Sequence, residues 1–289
     1  MTALNPEAPI GVFDSGVGGL SVLRSVIEQM PDESVLYVAD QAHVPYGSRS
    51  LEQVKAFSEG IVRFLLASGA KIIVVACNSA SAAALAHLRG TFPDIPFVGM
   101  EPAVKPAAEK TQTGVVGVLA TPATFQGALY ASVVERFAAG VTLLKDTLPG
   151  LVERIEAGDL HGPGTRAILD AALKPMLAKR IDTIVLACTH FPFVIPLIQE
   201  IVGSQVRVID PAPAVARQTM RLLEARSLRR SAIGRPQLDF FTSGDPEQLK
   251  TLLKMWLGIK SDVRMLTWLS ESRVMETVAG AAGTGPGTK

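Results

Sequence analysis

Only two cysteines stand in a chain of 289 residues, aromatic residues make up 6%, and 28 Lys and Arg face 27 Asp and Glu. Each shortage excludes something. Two cysteines make no disulfide framework, so free thiols are expected, and with them a reducing cytoplasmic setting. A net charge of +1 gives no basic field for nucleic acid or an anionic membrane surface. No apolar run approaches the ~18 residues that a membrane helix needs. The first residues, Met1 to Pro9, lack the basic and apolar segments of a secretory signal. The turn after the first apolar run, Asp14-Ser15-Gly16-Val17-Gly18-Gly19, lacks the third glycine of a dinucleotide fingerprint and the Gly-Lys of a phosphate loop. No Cys and His spacing suits zinc, and no lysine stands out as a Schiff-base former. Neither a metal nor a cofactor is expected.

What the chain does have is core. Hydrophobic residues are 48% and mean hydropathy is +0.30, enough for two ordinary domains. Two stretches organise it: Ile72-Ile73-Val74-Val75-Ala76-Cys77-Asn78-Ser79-Ala80 and Thr183-Ile184-Val185-Leu186-Ala187-Cys188-Thr189-His190-Phe191. Apolar runs without alternation read as parallel strands buried on both faces. Each cysteine then falls where a strand ends and a helix begins, the end of an open α/β sheet at which ligands bind.

Read in order, Ile10–Phe13 is a strand feeding the glycine turn and a helix that stops at Met30-Pro31. Ser34–Asp40 is a second buried strand, running into a loop with Pro45, Tyr46 and Gly47. Ser50 caps a helix closed by Gly69. The strand ending at Cys77 leads into an Ala-rich helix, and Cys77 at its N-terminus is expected to have a lowered pKa. After Glu101–Pro106 the pattern restarts. Thr113–Ala120 is a strand, Thr121 an N-cap with Pro122 behind it, and Phe125–Phe137 one helix. Leu151–Glu156 is helical, and the Cys188 strand follows. Pro211-Ala212-Pro213 marks a second crossing, after which come a helix, the arginine-rich stretch 226–235 read as a solvated loop, a strand, a helix to Leu257, and a final strand and helix. The expected fold is two pseudo-symmetric, doubly wound α/β domains with the active site in the cleft between them. One comprises about 1–104 with about 214–279, the other about 105–213, and about 280–289 is a disordered tail.

Two thiols facing each other across such a cleft suit one task. Inverting a carbon stereocentre by proton transfer needs a base on each face, and a thiol with an ordinary pKa of ~8.5 can be tuned for it. Asp14, directly after the first strand, reads either as a turn carboxylate or as an acid, base or amine-binding group.

Asp14-Ser15-Gly16, Pro45-Tyr46-Gly47, Ala76-Cys77-Asn78-Ser79-Ala80 and Ala187-Cys188-Thr189-His190-Phe191-Pro192 together resemble the glutamate racemases of the cofactor-independent aspartate/glutamate racemase family. The resemblance runs from about residue 9 to about 270. It implies an enzyme supplying D-glutamate for peptidoglycan, with Cys77 acting on the α-proton of the D-substrate and Cys188 on that of the L-substrate. Asp14 and His190 would tune or orient the thiols, with Glu153 as a further carboxylate. Ser15, Pro45, Tyr46, Gly47, Asn78, Ser79, Thr121 and Thr189 would line the site and hold the amino and carboxylate groups. A homodimer acting on a small molecule is expected. The family usually has Thr at Ser79, Gly at Ala187 and Tyr at Phe191. Two rivals stand beside this: a sister racemase for aspartate or a hydantoin, and a two-domain binding protein without catalysis.

Overall fold

The non-alternating apolar runs become the central strands of two sheets in the computed structural model, which describes residues 4–231, 234–270 and 272–276. The chain first runs β1 (Ile10–Asp14), α1 (Leu20–Gln29), β2 (Val35–Ala39), α2 (Leu51–Ala67), β3 (Ile72–Val75), α3 (Asn78–Thr91) and β4 (Phe97–Gly99). It crosses through α4 (Val104–Lys110) to β5 (Val115–Ala120), α5 (Pro122–Gln126), α6 (Ala128–Phe137), β6 (Thr142–Asp146) and α7 (Leu151–Glu156). There follow α8 (Pro163–Ala178), β7 (Thr183–Ala187), α9 (Ile195–Val202) and β8 (Arg207–Ile209). It returns through α10 (Ala212–Ala225) to β9 (Leu238–Thr242), α11 (Pro246–Leu252), β10 (Val263–Ser270) and β11 (Arg273–Glu276).

Seven strands form one sheet in the order β11-β10-β9-β2-β1-β3-β4, and four form the other, β6-β5-β7-β8. Every pairing is parallel except β10 with β11. Helices cover both faces of the large sheet. Ile10 and Val12 of β1 pack with Leu20 and Leu23 of α1, while Phe13 points the other way, among Val54, Phe57 and Ile61 of α2. That double cover is why β1 and β3 have no polar face, each large side chain burying ~1.5–3 kcal/mol of hydrophobic free energy.

The ladder register gathers the chemistry. Asp14 pairs with Ala39 and Phe13 with Val75, so Asp14, Asp40 and Cys77 leave the large sheet at one end. Ala120 pairs with Ala187, which sets Thr121 beside Cys188 at the same end of the small sheet.

Three local expectations are corrected. The helix drawn over Phe125–Phe137 breaks at Gly127, which is extended at φ −71°, ψ 140°. A Cβ there would lie 2.6 Å from the Ala82 methyl, so the break lets α3 approach from the other lobe. The last described element is a strand, not a helix. Leu266 and Val274 are buried and Trp268 half-buried, a two-residue periodicity that seats an antiparallel hairpin on α2. The arginine-rich stretch is tied down: Arg229 pairs with Glu33 and Arg230 with Glu7, and Glu33 also takes the buried Lys71 ammonium at 2.6 Å. The expected disordered tail, 280–289, lies outside the described residues.

Candidate active site

The glycine turn after β1 is shaped by the residue that opens it. Asp14 is fully buried, and its Oδ2 accepts from the Gly19 N–H at 2.8 Å and the Gly16 N–H at 3.3 Å. Its Oδ1 accepts the Thr189 hydroxyl at 3.4 Å from the other lobe. Asp14 therefore shapes the turn and reaches the other lobe at once. The Tyr37 hydroxyl supports the same turn, donating to the Gly16 carbonyl at 3.1 Å.

Cys77 is the N-cap of α3, its Sγ accepting from the Ala80 N–H at 3.5 Å and donating to Ser15 Oγ at 3.7 Å. The expected lowering of its pKa is overturned. Burial pushes the thiol well up and the Asp14 charge pushes further, outweighing the helix N–H and Ser15. Asp14 is itself raised by burial, against the opposing pull of His190 and the Gly19 N–H.

Cys188 follows β7, with His190 Nδ1 at 3.8 Å from its Sγ. The other ring nitrogen, Nε2, lies 2.5 Å from Glu156 Oε1. Burial alone would push His190 down, but Cys188 and Glu156 on either side lift it well above the ordinary imidazole range. Glu156 Oε1 also accepts the Val17 N–H at 2.8 Å, joining α7 to the glycine turn across the two lobes. A second bridge runs from Ser21 Oγ to the Thr189 carbonyl at 3.0 Å.

The carboxylate expected at Glu153 is corrected to Glu156. Leu151, Val152, Ile155 and Glu156 make the buried face of α7, and Glu153 falls on the exposed side. The signal was in the sequence: Glu156 stands four residues after Val152, in register with the apolar stripe.

Between the lobes lies a small cleft, closed down to a volume of ≈ 10 Å³. Ser15, Pro45, Tyr46, Gly47, Cys77, Asn78 and Ser79 line it from the large sheet, and Thr121, Val152, Cys188, Thr189 and His190 from the small one. Asp14 lies behind the lining and Val152 joins it unforeseen. The Ser79 and Thr121 hydroxyls meet across the cleft at 2.9 Å, and Thr121 caps α5. Both amide atoms of Asn78 are buried without a partner. A buried amide left so is free to pair with a group that enters the cleft. None of the lining residues is Lys or Arg, so an anionic group would be held by N–H groups, hydroxyls and the Asn78 amide. Among the described residues no three His, Cys, Asp or Glu come together as metal ligands would, and no helix is long and apolar enough to cross a membrane.

The turn glycines are required by what packs on them. A Cβ on Gly18 would lie 2.4 Å from His190 Nδ1, and one on Gly16 2.0 Å from Glu156 Oε1. Gly18→Ala, which must displace the His190 ring, is expected to lower kcat/KM about 100-fold, the usual cost of a ~1 Å displacement within a site, while Gly90→Ala, whose Cβ meets nothing within 4 Å, leaves it unchanged. Steady-state kinetics on both variants checks this.

Residues 10–219 match the Asp/Glu/Hydantoin racemase family. The chain is 52% identical over 261 residues to the glutamate racemase of Pseudomonas paraeruginosa, covering 90% of this chain and 98% of that one. Among solved structures it is similar to a glutamate racemase isoform of Bacillus anthracis, with a TM-score of 0.82 and 32% identity over 90% of this chain and 97% of that one. It is also similar to the Escherichia coli glutamate racemase solved with L-glutamate and the activator UDP-MurNAc-Ala, at TM-score 0.79 and 31% identity over 93% of this chain and 99% of that one.

Proposed function

The chain belongs to the Asp/Glu/Hydantoin racemase family, and from that premise we propose that its cleft interconverts L-glutamate and D-glutamate by proton transfer between Cys77 and Cys188. The enzyme is a cofactor-independent glutamate racemase supplying D-glutamate for peptidoglycan. One observation carries the mechanism: a thiol from each lobe lines one small cleft, and each has its own ionisable partner, Asp14 near Cys77 and His190 beside Cys188.

One thiolate removes the α-proton while the opposite thiol returns one to the other face, which inverts the carbon. Burial makes the Cys77 thiolate costly in the free protein. The α-ammonium of glutamate brings a positive charge into the cleft, and an opposite charge nearby favours the thiolate. Asp14 stands behind Cys77 to take part in moving its proton. His190, held protonated by Cys188 and Glu156 against burial, does the same beside Cys188. The Asn78 amide, the Ser15, Ser79, Thr121 and Thr189 hydroxyls and the Tyr46-Gly47 loop hold the substrate's carboxylates and amino group. Identity near 50% with curated glutamate racemases over most of the chain favours glutamate over aspartate or a hydantoin. Free thiols that must stay reduced favour the cytoplasm. A homodimer is the assembly proposed from the family resemblance, which sedimentation velocity reads directly.

The test is α-proton exchange in D2O, with optical rotation followed alongside, starting from each enantiomer separately. Wild type should take up deuterium and racemise from both sides. Exchange and inversion with aspartate but not glutamate would move the assignment to a sister racemase. Neither, with ligand still bound, would make the chain a binding protein.

A further inference from the structure

We infer that Trp268, on the terminal hairpin and outside the cleft, is a positioning residue for the substrate loop and acts on it through Asp40. The inference rests on the cleft being the racemase site.

Asp40 is the residue after β2. Its backbone N–H donates to the Asp14 carbonyl at 2.9 Å, which seats it next to the glycine turn. Its carboxylate is 1% exposed and takes four donors, as many as a carboxylate has lone-pair positions. Two come from the loop that lines the cleft: the Tyr46 hydroxyl at 2.6 Å and His43 Nδ1 at 2.9 Å, both on Oδ2. Two come from the C-terminal return of the chain: Ser243 Oγ at 2.6 Å and Trp268 Nε1 at 2.7 Å, both on Oδ1. One oxygen faces the substrate loop and the other the return. Burial and the Asp40 charge hold the Tyr46 hydroxyl protonated, so it remains a donor.

The rings repeat the connection. His43 stacks on Phe57 at 3.8 Å between centroids and meets the edge of Trp268 at 4.9 Å, with Phe57 and Trp268 5.6 Å apart. A third feature shows how closely the hairpin sits. Gly60 lies inside α2, where glycine costs ~1 kcal/mol relative to alanine. A Cβ there would come within 2.8 Å of the Ser272 backbone and 2.9 Å of Trp268 Cζ3. The helix gives up an alanine where Trp268 docks.

Trp268 thus holds Asp40 still, and Asp40 holds Tyr46, whose ring and neighbour Gly47 form one wall of the cleft. Loosening the loop lowers the fraction of enzyme competent to bind and raises apparent Kd by that fraction. The thiols are untouched once substrate is in place, so KM moves and kcat does not.

Trp268→Phe keeps the aromatic packing and removes the N–H. It should raise KM for both enantiomers about three- to tenfold, the size of a typical net hydrogen-bond contribution, with kcat within about twofold of wild type. Tyr46→Phe combined with Trp268→Phe should raise KM by clearly less than the product of the single effects, since both work on Asp40. Gly60→Ala, whose Cβ would press on the Ser272 backbone and the Trp268 ring, should raise KM in the same way and leave kcat within about twofold, a split between KM and kcat that a merely structural hairpin would not produce. Unchanged KM in Trp268→Phe, or fully multiplicative effects in the double variant, overturns the proposal alone. A wild type that does not racemise glutamate overturns the assigned reaction and this proposal with it.

Discussion

Cys188→Ser and Cys77→Ser will each abolish racemisation of glutamate, by ~1,000-fold or more in kcat, at the upper end of what a positioned acid or base contributes. Serine keeps the size of the side chain and raises the pKa of the reacting group far beyond reach. Both cysteines are 4% exposed with well-packed surroundings, so a folded protein with an unchanged circular dichroism spectrum is expected. The two variants should differ in one respect. If Cys77 serves the D-substrate, Cys188→Ser will still exchange the α-proton of D-glutamate in D2O, because a thiol that removes a proton can return a deuteron to the same face. The same variant should leave L-glutamate unlabelled, and Cys77→Ser should show the reverse. Normal racemisation by either variant would make that thiol a small buried apolar residue and end the two-base mechanism. Exchange of both enantiomers by one variant would mean that a neighbouring group, Asp14 or His190, can act alone.

Much of this was legible in the sequence because the signals are local. Strands buried on both faces announce themselves by not alternating, and the two cysteine-bearing strands, β3 and β7, were readable for that reason. Ser50 and Thr121 were readable as caps from the residues that follow them, and both caps form. What failed depends on burial or distance. The helix N-terminus at Cys77 argues for a low pKa, and the N–H from Ala80 is there, but nothing local reveals that the sulfur is buried beside Asp14. Gly127 breaks a helix that periodicity draws straight through it, because the other lobe needs the space. The carboxylate of α7 was displaced by one turn, Glu153 for Glu156, although the apolar spacing favoured Glu156. The bond between Trp268 and Asp40 spans 228 positions in sequence, and no motif connects them.

The displaced carboxylate leads to the second large effect: Glu156→Gln will lower kcat/KM about 10- to 100-fold at neutral pH, while Glu153→Gln, exposed on the other side of α7, will leave it unchanged. Glutamine keeps an oxygen for the Val17 N–H and loses only the charge. Burial pushes His190 down, and Cys188 and Glu156 push it up, so removing one of the two upward influences lowers its pKa. His190 then loses its proton at a lower pH, and the alkaline limb of the kcat/KM profile shifts to the acid side. The loss should be smallest near pH 6 and grow as pH rises. Stability has a definite sign as well. A histidine whose pKa is raised on folding stabilises the protein fully below its unfolded value of ~6.5 and ceases to do so as pH rises through the folded value. The Tm of Glu156→Gln should therefore fall below wild type near pH 6, and the gap should narrow at alkaline pH. Rate and stability respond oppositely to pH because one measures what remains of the imidazolium and the other what Glu156 did to keep it. A pH-independent loss of activity with a constant Tm gap would make Glu156 a bridge between the lobes and nothing more.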